Sequence, residues 1–82
     1  MKINAVVTNV NIRGCEEKTN KNGEGYLLVR FEDESGRPCE LVDKDLSRKR
    51  YYKRDENMHL TISIDQGSKF TTIRIIEAEK FS

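Results

Sequence analysis

The sequence predicts an all-β fold in a single domain of 82 residues. Apolar and polar side chains alternate with a period of two in four of the five strand-like segments, and turn residues recur at short spacing. One irregular insert falls between the third and fourth segments. A long first strand, a hairpin, an insert and a final hairpin form the order of a small five-stranded barrel of the OB type. A barrel also removes the sheet edges that so short an all-β chain would otherwise expose. An SH3-like barrel is the alternative architecture.

The first strand is expected over residues 2–13. Ile3, Ala5 and Val7 share one parity, and Val10 and Ile12 take the other. This phase slip predicts a β-bulge or a sharp coil near Val6-Val7. Residues 18–25 read as a polar connection with Asn22-Gly23 as its turn signal. In the second strand, residues 26–33, Leu27, Val29 and Phe31 form the expected core face. Tyr26, Leu28 and Arg30 form the outward one: an aromatic, an aliphatic and a cation in one row. Ser35-Gly36-Arg37-Pro38 turns the chain into a third strand through residues 39–43. Residues 45–57 fit either a short helix or an extended loop. Met58, Leu60, Ile62 and Ile64 then alternate cleanly with polar partners. After a turn at residues 65–68, a last strand over residues 69–78 places Thr71, Ile73 and Ile75 on one face and Phe70, Thr72, Arg74 and Ile76 on the other. The expected core is Ile3, Val7, Leu27, Val29, Phe31, Leu41, Leu60, Ile62, Ile64, Ile73 and Ile75.

Charged residues make up 35% of the chain, yet fifteen Lys and Arg against fourteen Asp and Glu leave a net charge of only +1. Disorder by composition needs a large net charge together with few apolar residues, so a folded domain is expected. What matters for a ligand is where the cations sit. The N-terminus opens directly into strand-like sequence without a signal-peptide core, and no apolar stretch approaches the roughly 20 residues of a membrane-spanning helix. A cytoplasmic protein without membrane contact is therefore expected. Cys15 and Cys39 read as reduced side chains. His59 is the only histidine, and Asp43 and Asp45 flank a turn, where aspartates are most often solubility and capping residues. With no Gly-rich phosphate loop and no nucleophile paired with a base, neither an enzyme nor a bound metal or cofactor is expected.

Residues 48–54 carry five cations, Arg48, Lys49, Arg50, Lys53 and Arg54, and two tyrosines, Tyr51 and Tyr52. Phosphates need nearby positive charge, and unpaired bases need flat apolar faces to stack on. The competing reading is a solvated charged face, with a tyrosine closing the barrel end and Asp55 and Glu56 partly neutralising the cations. Two further places pair aromatics with cations. One is Tyr26, Leu28 and Arg30 on the second strand, where OB folds carry their ligand face. The other is Lys69, Phe70 and Arg74 after the last turn.

The layout resembles the small helix-destabilising proteins of filamentous phages, the gene-five type. The resemblance covers about residues 18–79. It rests on a polar, glycine-containing wing leading into Tyr26-Leu27-Leu28, and on a Gly67 hairpin followed by Phe70 and an Ile-Arg-Ile strand. It implies a homodimeric OB-fold protein coating single-stranded DNA. Tyr26, Leu28 and Phe70 would contact or support bases, and Lys44 would meet a phosphate. The cluster at residues 48–54 is denser than the family's connection, and Glu16-Glu17 stands where it would repel phosphate. The function expected is non-catalytic binding of single-stranded DNA by a protein of phage, plasmid or conjugative-element type. RNA is the alternative ligand in the same groove, and a protein-interaction module acting by strand addition is the alternative class.

Overall fold

A computed structural model describes residues 1–81. Five strands are present: β1 (Lys2–Thr19), β2 (Gly25–Glu32), β3 (Pro38–Asp43), β4 (Asn57–Gln66) and β5 (Thr71–Lys80). The insert between β3 and β4 holds a 3₁₀ helix, η1 (Leu46–Tyr51). Hydrogen bonds join the strands into a closed barrel in the order β1-β2-β3-β5-β4, with β4 returning to β1. All pairs are antiparallel except β3 with β5. This is the five-stranded Greek-key barrel that the element order predicts.

Closure depends on β1 serving two neighbours. Its first half pairs with β4 and its second half with β2. A straight strand cannot face both, so β1 bends where its register shifts, between Val7 and Val10 and again between Ile12 and Gly14. Asn9, with φ of 53°, takes the left-handed conformation at the first bend, which Asn tolerates better than most residues. The phase slip expected at Val6-Val7 lies two residues further on: Val7 and Val10 both turn inward, while Val6 is 61% exposed. β1 also runs to Thr19 rather than ending near residue 13, because residues 14–19 pair with β2 although their side chains show no apolar alternation.

Both hairpins before η1 use one device. The Asn20 side-chain carbonyl accepts from the backbone N–H of Asn22 and Glu24 at 2.9 and 3.0 Å. The Asp33 carboxylate accepts from those of Ser35 and Arg37, both at 2.9 Å. Gly23 and Gly36 supply the positive φ, 83° and 80°, that these tight turns require.

The core contains Val10, Ile12, Leu27, Val29, Phe31, Tyr52, Met58, Leu60 and Ile75. Val7, Leu41 and Ile62 pack partly against it. Two expected members are exposed, Ile3 at 49% and Ile73 at 42%, and a third, Ile64, is only half-buried. Ile3 is opposite Ile64, and Ile64 is opposite Ile73, so the three form one cross-strand row. The parallel seam between β3 and β5 consists only of Val42↔Arg74 and Asp43↔Ile75. The row of Ile73 lies just outside that seam, towards the β4–β5 hairpin.

At the other end the barrel is plugged by polar chemistry. Asp43, at the end of β3, is fully buried, and its carboxylate accepts three hydrogen bonds. The Tyr52 hydroxyl donates at 2.5 Å, Arg48 Nη1 at 2.7 Å and the Asp45 backbone N–H at 2.9 Å. The second Arg48 amino group donates to the carbonyl of Ile76. That carbonyl belongs to the residue left unpaired in a β5 bulge, since Ile62 faces Ile75 while Thr61 faces Glu77. Asp45 caps η1, accepting from the Ser47 N–H and hydroxyl at 3.0 and 2.5 Å, and these bonds hold its carboxyl below the usual range. Leu46 closes over Gly25, where an added Cβ would come within 3.1 Å of it.

Ile75→Ala should cost about 2–5 kcal/mol in urea denaturation, the range for a buried Ile truncated to Ala. Ile73→Ala should cost about 1 kcal/mol or less, as a partly exposed position. Equal losses would place Ile73 in the core after all. Burial first, and then its bond to Asp43, push the Tyr52 phenol far above its ordinary value. Tyr52 in the folded chain therefore holds its proton when the unfolded chain releases it. Its contribution should be fully present below about pH 10 and decline as pH rises beyond that. Tyr52→Phe should cost about 1–3 kcal/mol at neutral pH by removing one donor from buried Asp43. It should also flatten the alkaline fall in stability; an unchanged fall would show that Tyr52 does not cause it.

Candidate nucleic-acid interface

Because Leu27, Val29 and Phe31 turn inward on β2, strand alternation sends Tyr26, Leu28 and Arg30 outward. On β3, Glu40 and Val42 take the corresponding outward parity, and Lys44 follows just beyond the strand's end. Register then builds a row across three strands: Leu28 is opposite Val42, and Val42 is opposite Arg74 of β5. A cleft of about 370 Å³ lies over this face, lined by Asn20, Glu24, Gly25, Tyr26, Leu28, Val42 and Lys44. Tyr26, Leu28 and Val42 are half-buried and Lys44 is exposed. Lys44 and Arg74 also share a neighbouring cleft with Asp43, Asp45 and Arg48. The face therefore collects Tyr26, Leu28, Lys44 and Arg74 from separate parts of the chain. Val42 joins them as a residue sequence reading did not single out. Its position two residues after Glu40 on an alternating strand was the available signal.

At the far end of β5, Lys69 and Phe70 occupy the β4–β5 hairpin, where the Gly67 N–H donates to the Phe70 carbonyl at 2.9 Å. Phe70 is 79% exposed and shares the parity of Thr72 and Arg74. Its ring lines a shallow cleft with Asp65, Ser68, Lys69 and Thr72.

Arg30 is outward but not free. Glu16 and Glu40 bridge it at 2.5 and 3.1 Å, and those bonds raise its pKa still further. Glu16, expected to repel phosphate, is thus engaged with a cation, and Arg30 offers little positive field of its own.

The cluster at residues 48–54 is divided by the fold. Arg48 and Tyr52 turn inward to Asp43, and Tyr52 is only 5% exposed. Arg48 is tied to a buried carboxylate and the Ile76 carbonyl, and Tyr52, with no face open to a base, takes the competing place of a tyrosine that closes the barrel end. Each completes the hydrogen bonding of a charge the barrel has already buried. Lys49, Arg50, Tyr51 and Lys53 face outward and line a second cleft, joined by Lys80 from the end of β5. Arg54 is exposed beside them in sequence without lining that cleft. The two clefts share no lining residue, so the tyrosines and cations of residues 48–54 do not form one groove with Tyr26.

Cations held near flat side chains can neutralise phosphates and stack bases. Among the described residues, Lys44, Arg50, Lys53, Lys69, Arg74 and Lys80 make no ion pair. Also among the described residues, no group of three or more His, Cys, Asp or Glu is placed to hold a metal, and no helix is long and apolar enough to cross a membrane. Cys15 and Cys39 are free thiols, and burial raises the pKa of Cys15, the opposite of what a reactive thiolate needs. His59 packs edge-on against Phe81 with ring centroids 4.8 Å apart. Comparison of the chain with protein-family models, with curated proteins and with solved structures finds no match.

Proposed function

We propose that this chain is a non-catalytic protein that binds single-stranded nucleic acid, DNA foremost, across the outward face of β2, β3 and β5. The observation that carries the reading is the Leu28–Val42–Arg74 row, flanked by Tyr26 and Lys44 and continued by Phe70. An OB barrel uses its second and third strands and the loops beside them to hold oligonucleotides. The layout resemblance to the gene-five type points to the same face. Bases would stack on Tyr26 and Phe70 and rest on Leu28 and Val42, while Lys44, Lys69 and Arg74 neutralise phosphates. Such contacts accept any base, so sequence preference should be slight. A coat protein of a phage, plasmid or conjugative element, acting as a homodimer, is the setting this reading favours.

A protein-interaction module is the second reading. It draws on the short β3–β5 seam, which leaves backbone on both strands free for strand addition beside exposed Ile73.

Anisotropy titrations of single- and double-stranded oligonucleotides of one sequence, at several salt concentrations, test the proposal. Single strands should bind more tightly than duplex, because paired bases cannot reach the aromatics. Tyr26→Ala should cost about 1–3 kcal/mol with the salt slope unchanged. Lys44→Gln should make the slope shallower by roughly 0.7. Equal binding of duplex and single strand would sink the groove and leave a plain electrostatic patch. No binding to either at moderate salt would move the protein-interaction reading to first place.

A further inference from the structure

Among the described residues, the cleft beside η1 differs in its charge from four other clefts. Each of those carries at least one carboxylate in its lining: Asp65, Glu24, Glu32 with Glu40, or Asp43 with Asp45. The η1 cleft is lined by Lys49, Arg50, Tyr51, Lys53 and Lys80, with none. Two features keep acids away. Asp55, which follows the cluster in sequence, adopts φ of 68° and binds Arg13 at 2.8 Å instead. On β5, inward Ala78 and Lys80 share one parity and Glu77 and Glu79 the other, so Lys80 lies at the η1 end of the barrel without its acidic neighbours. Among the described residues, only Glu17 forms an ion pair with a cation of this cleft, 3.9 Å from Lys49.

Tyr51 in this cleft is already occupied. The Arg50 guanidinium lies 5.1 Å from its ring centroid, and Arg50 Nη2 donates to its hydroxyl at 3.1 Å. A ring with a cation on its face holds that cation in place. It is poorly available to a base. The cleft thus presents four cations, one of them fixed by an aromatic, and no second flat surface.

We propose that the η1 cleft is a second, base-independent site for phosphate groups, taking the sugar–phosphate chain of the strand beyond the stretch held on β2, β3 and β5. Its place on the path of a strand rests on the nucleic-acid reading above; its preference for phosphate over bases does not. Tyr51 is a positioning residue that sets the Arg50 guanidinium, not a platform for stacking.

The probe that separates the two surfaces is an abasic oligomer, a deoxyribose-phosphate chain without bases, titrated beside an ordinary single strand of equal length. Amide shifts on ¹⁵N-labelled protein show where each binds. The abasic chain should shift residues 49–53 and 80 and leave Tyr26 and Leu28 unmoved. Lys53→Gln combined with Lys80→Gln, both exposed changes that should leave thermal unfolding unaltered, should weaken abasic binding and remove its shifts at residues 49–52. For the ordinary strand the salt slope should become shallower by about 1.4, twice the roughly 0.7 of one phosphate on a single strand. Tyr26→Ala should weaken the ordinary strand alone. Tyr51→Ala should weaken both probes, because the ring acts through Arg50. Loss confined to the base-bearing strand would make Tyr51 a stacking residue and overturn that part. Abasic binding unaffected by the double variant, or no abasic binding at all, would overturn the site. If the abasic chain binds at η1 while an ordinary strand never shifts Tyr26, Leu28 or Phe70, the phosphate site stands and the proposed function falls.

Discussion

A buried carboxylate organises this barrel. Asp43 ends β3 inside the core, at the second of only two residue pairs that join β3 to β5. A charge so placed is tolerated only if fully hydrogen-bonded. Its donors come from the turn after β3, from η1 and from the residue after η1. Arg48 carries the connection further, to the carbonyl exposed by the β5 bulge. One carboxylate therefore fixes the path of the insert, attaches it to the barrel and braces the short seam. It also directs surface chemistry. By drawing Arg48 and Tyr52 inward, it leaves Lys49, Arg50, Tyr51 and Lys53 on the outside, where they meet Lys80.

How far the sequence was legible follows from what alternation can carry. Period two identified the inward face of β2 and that of β4 from Met58 to Ile62, because both strands are paired along most of their length; beyond Ile62 it failed, since Ser63 is buried and Ile64 is only half-buried. It placed Ile3 and Ile73 on the core parity but could not show that their row lies beyond the β3–β5 seam, since parity is local and the extent of that seam is a matter of register between distant strands. The second half of β1 was missed for a related reason. Gly14 and residues 16–19 offer no apolar signal, and only hydrogen bonding to β2 makes them strand. Asp43 was readable in part: it shares the parity of Cys39 and Leu41, so an inward carboxylate was implied by β3 itself. What was hidden was the identity of its partners. Arg48 and Tyr52 looked like members of a surface cluster, and no local rule tells an arginine beside other cations that it belongs to an aspartate.

The balance of fifteen cations against fourteen anions also conceals the charge pattern. The carboxylates do not cancel the cations evenly. Arg13 and Arg30 are paired on the surface, while Lys44 and Arg74 on the strand face and Arg50, Lys53 and Lys80 near η1 are left without carboxylate partners among the described residues. Exposed pairs of this kind add little to stability. Their larger consequence is spatial: each pair removes a cation from the field that an anionic ligand meets, and the cations of the strand face and of the η1 cleft are among those that remain.

Those two places are mechanically joined. Lys44 is outward on the strand face, its neighbour Asp43 is locked in the core, Asp45 caps η1, and Arg48 within η1 returns to Asp43. The connection between the clefts is thus six residues held by side-chain and backbone bonds rather than a free loop. Rigid spacing lowers the ordering cost of binding. It also means that a ligand touching both surfaces engages the second at an effective concentration set by fixed geometry. Under the proposed function a single strand suits such a pair, because its flexible, evenly charged backbone can leave a stacking face and still present phosphates around the barrel end. A duplex, stiff and with its bases enclosed, could satisfy the cations near η1 but not the apolar row of Leu28 and Val42.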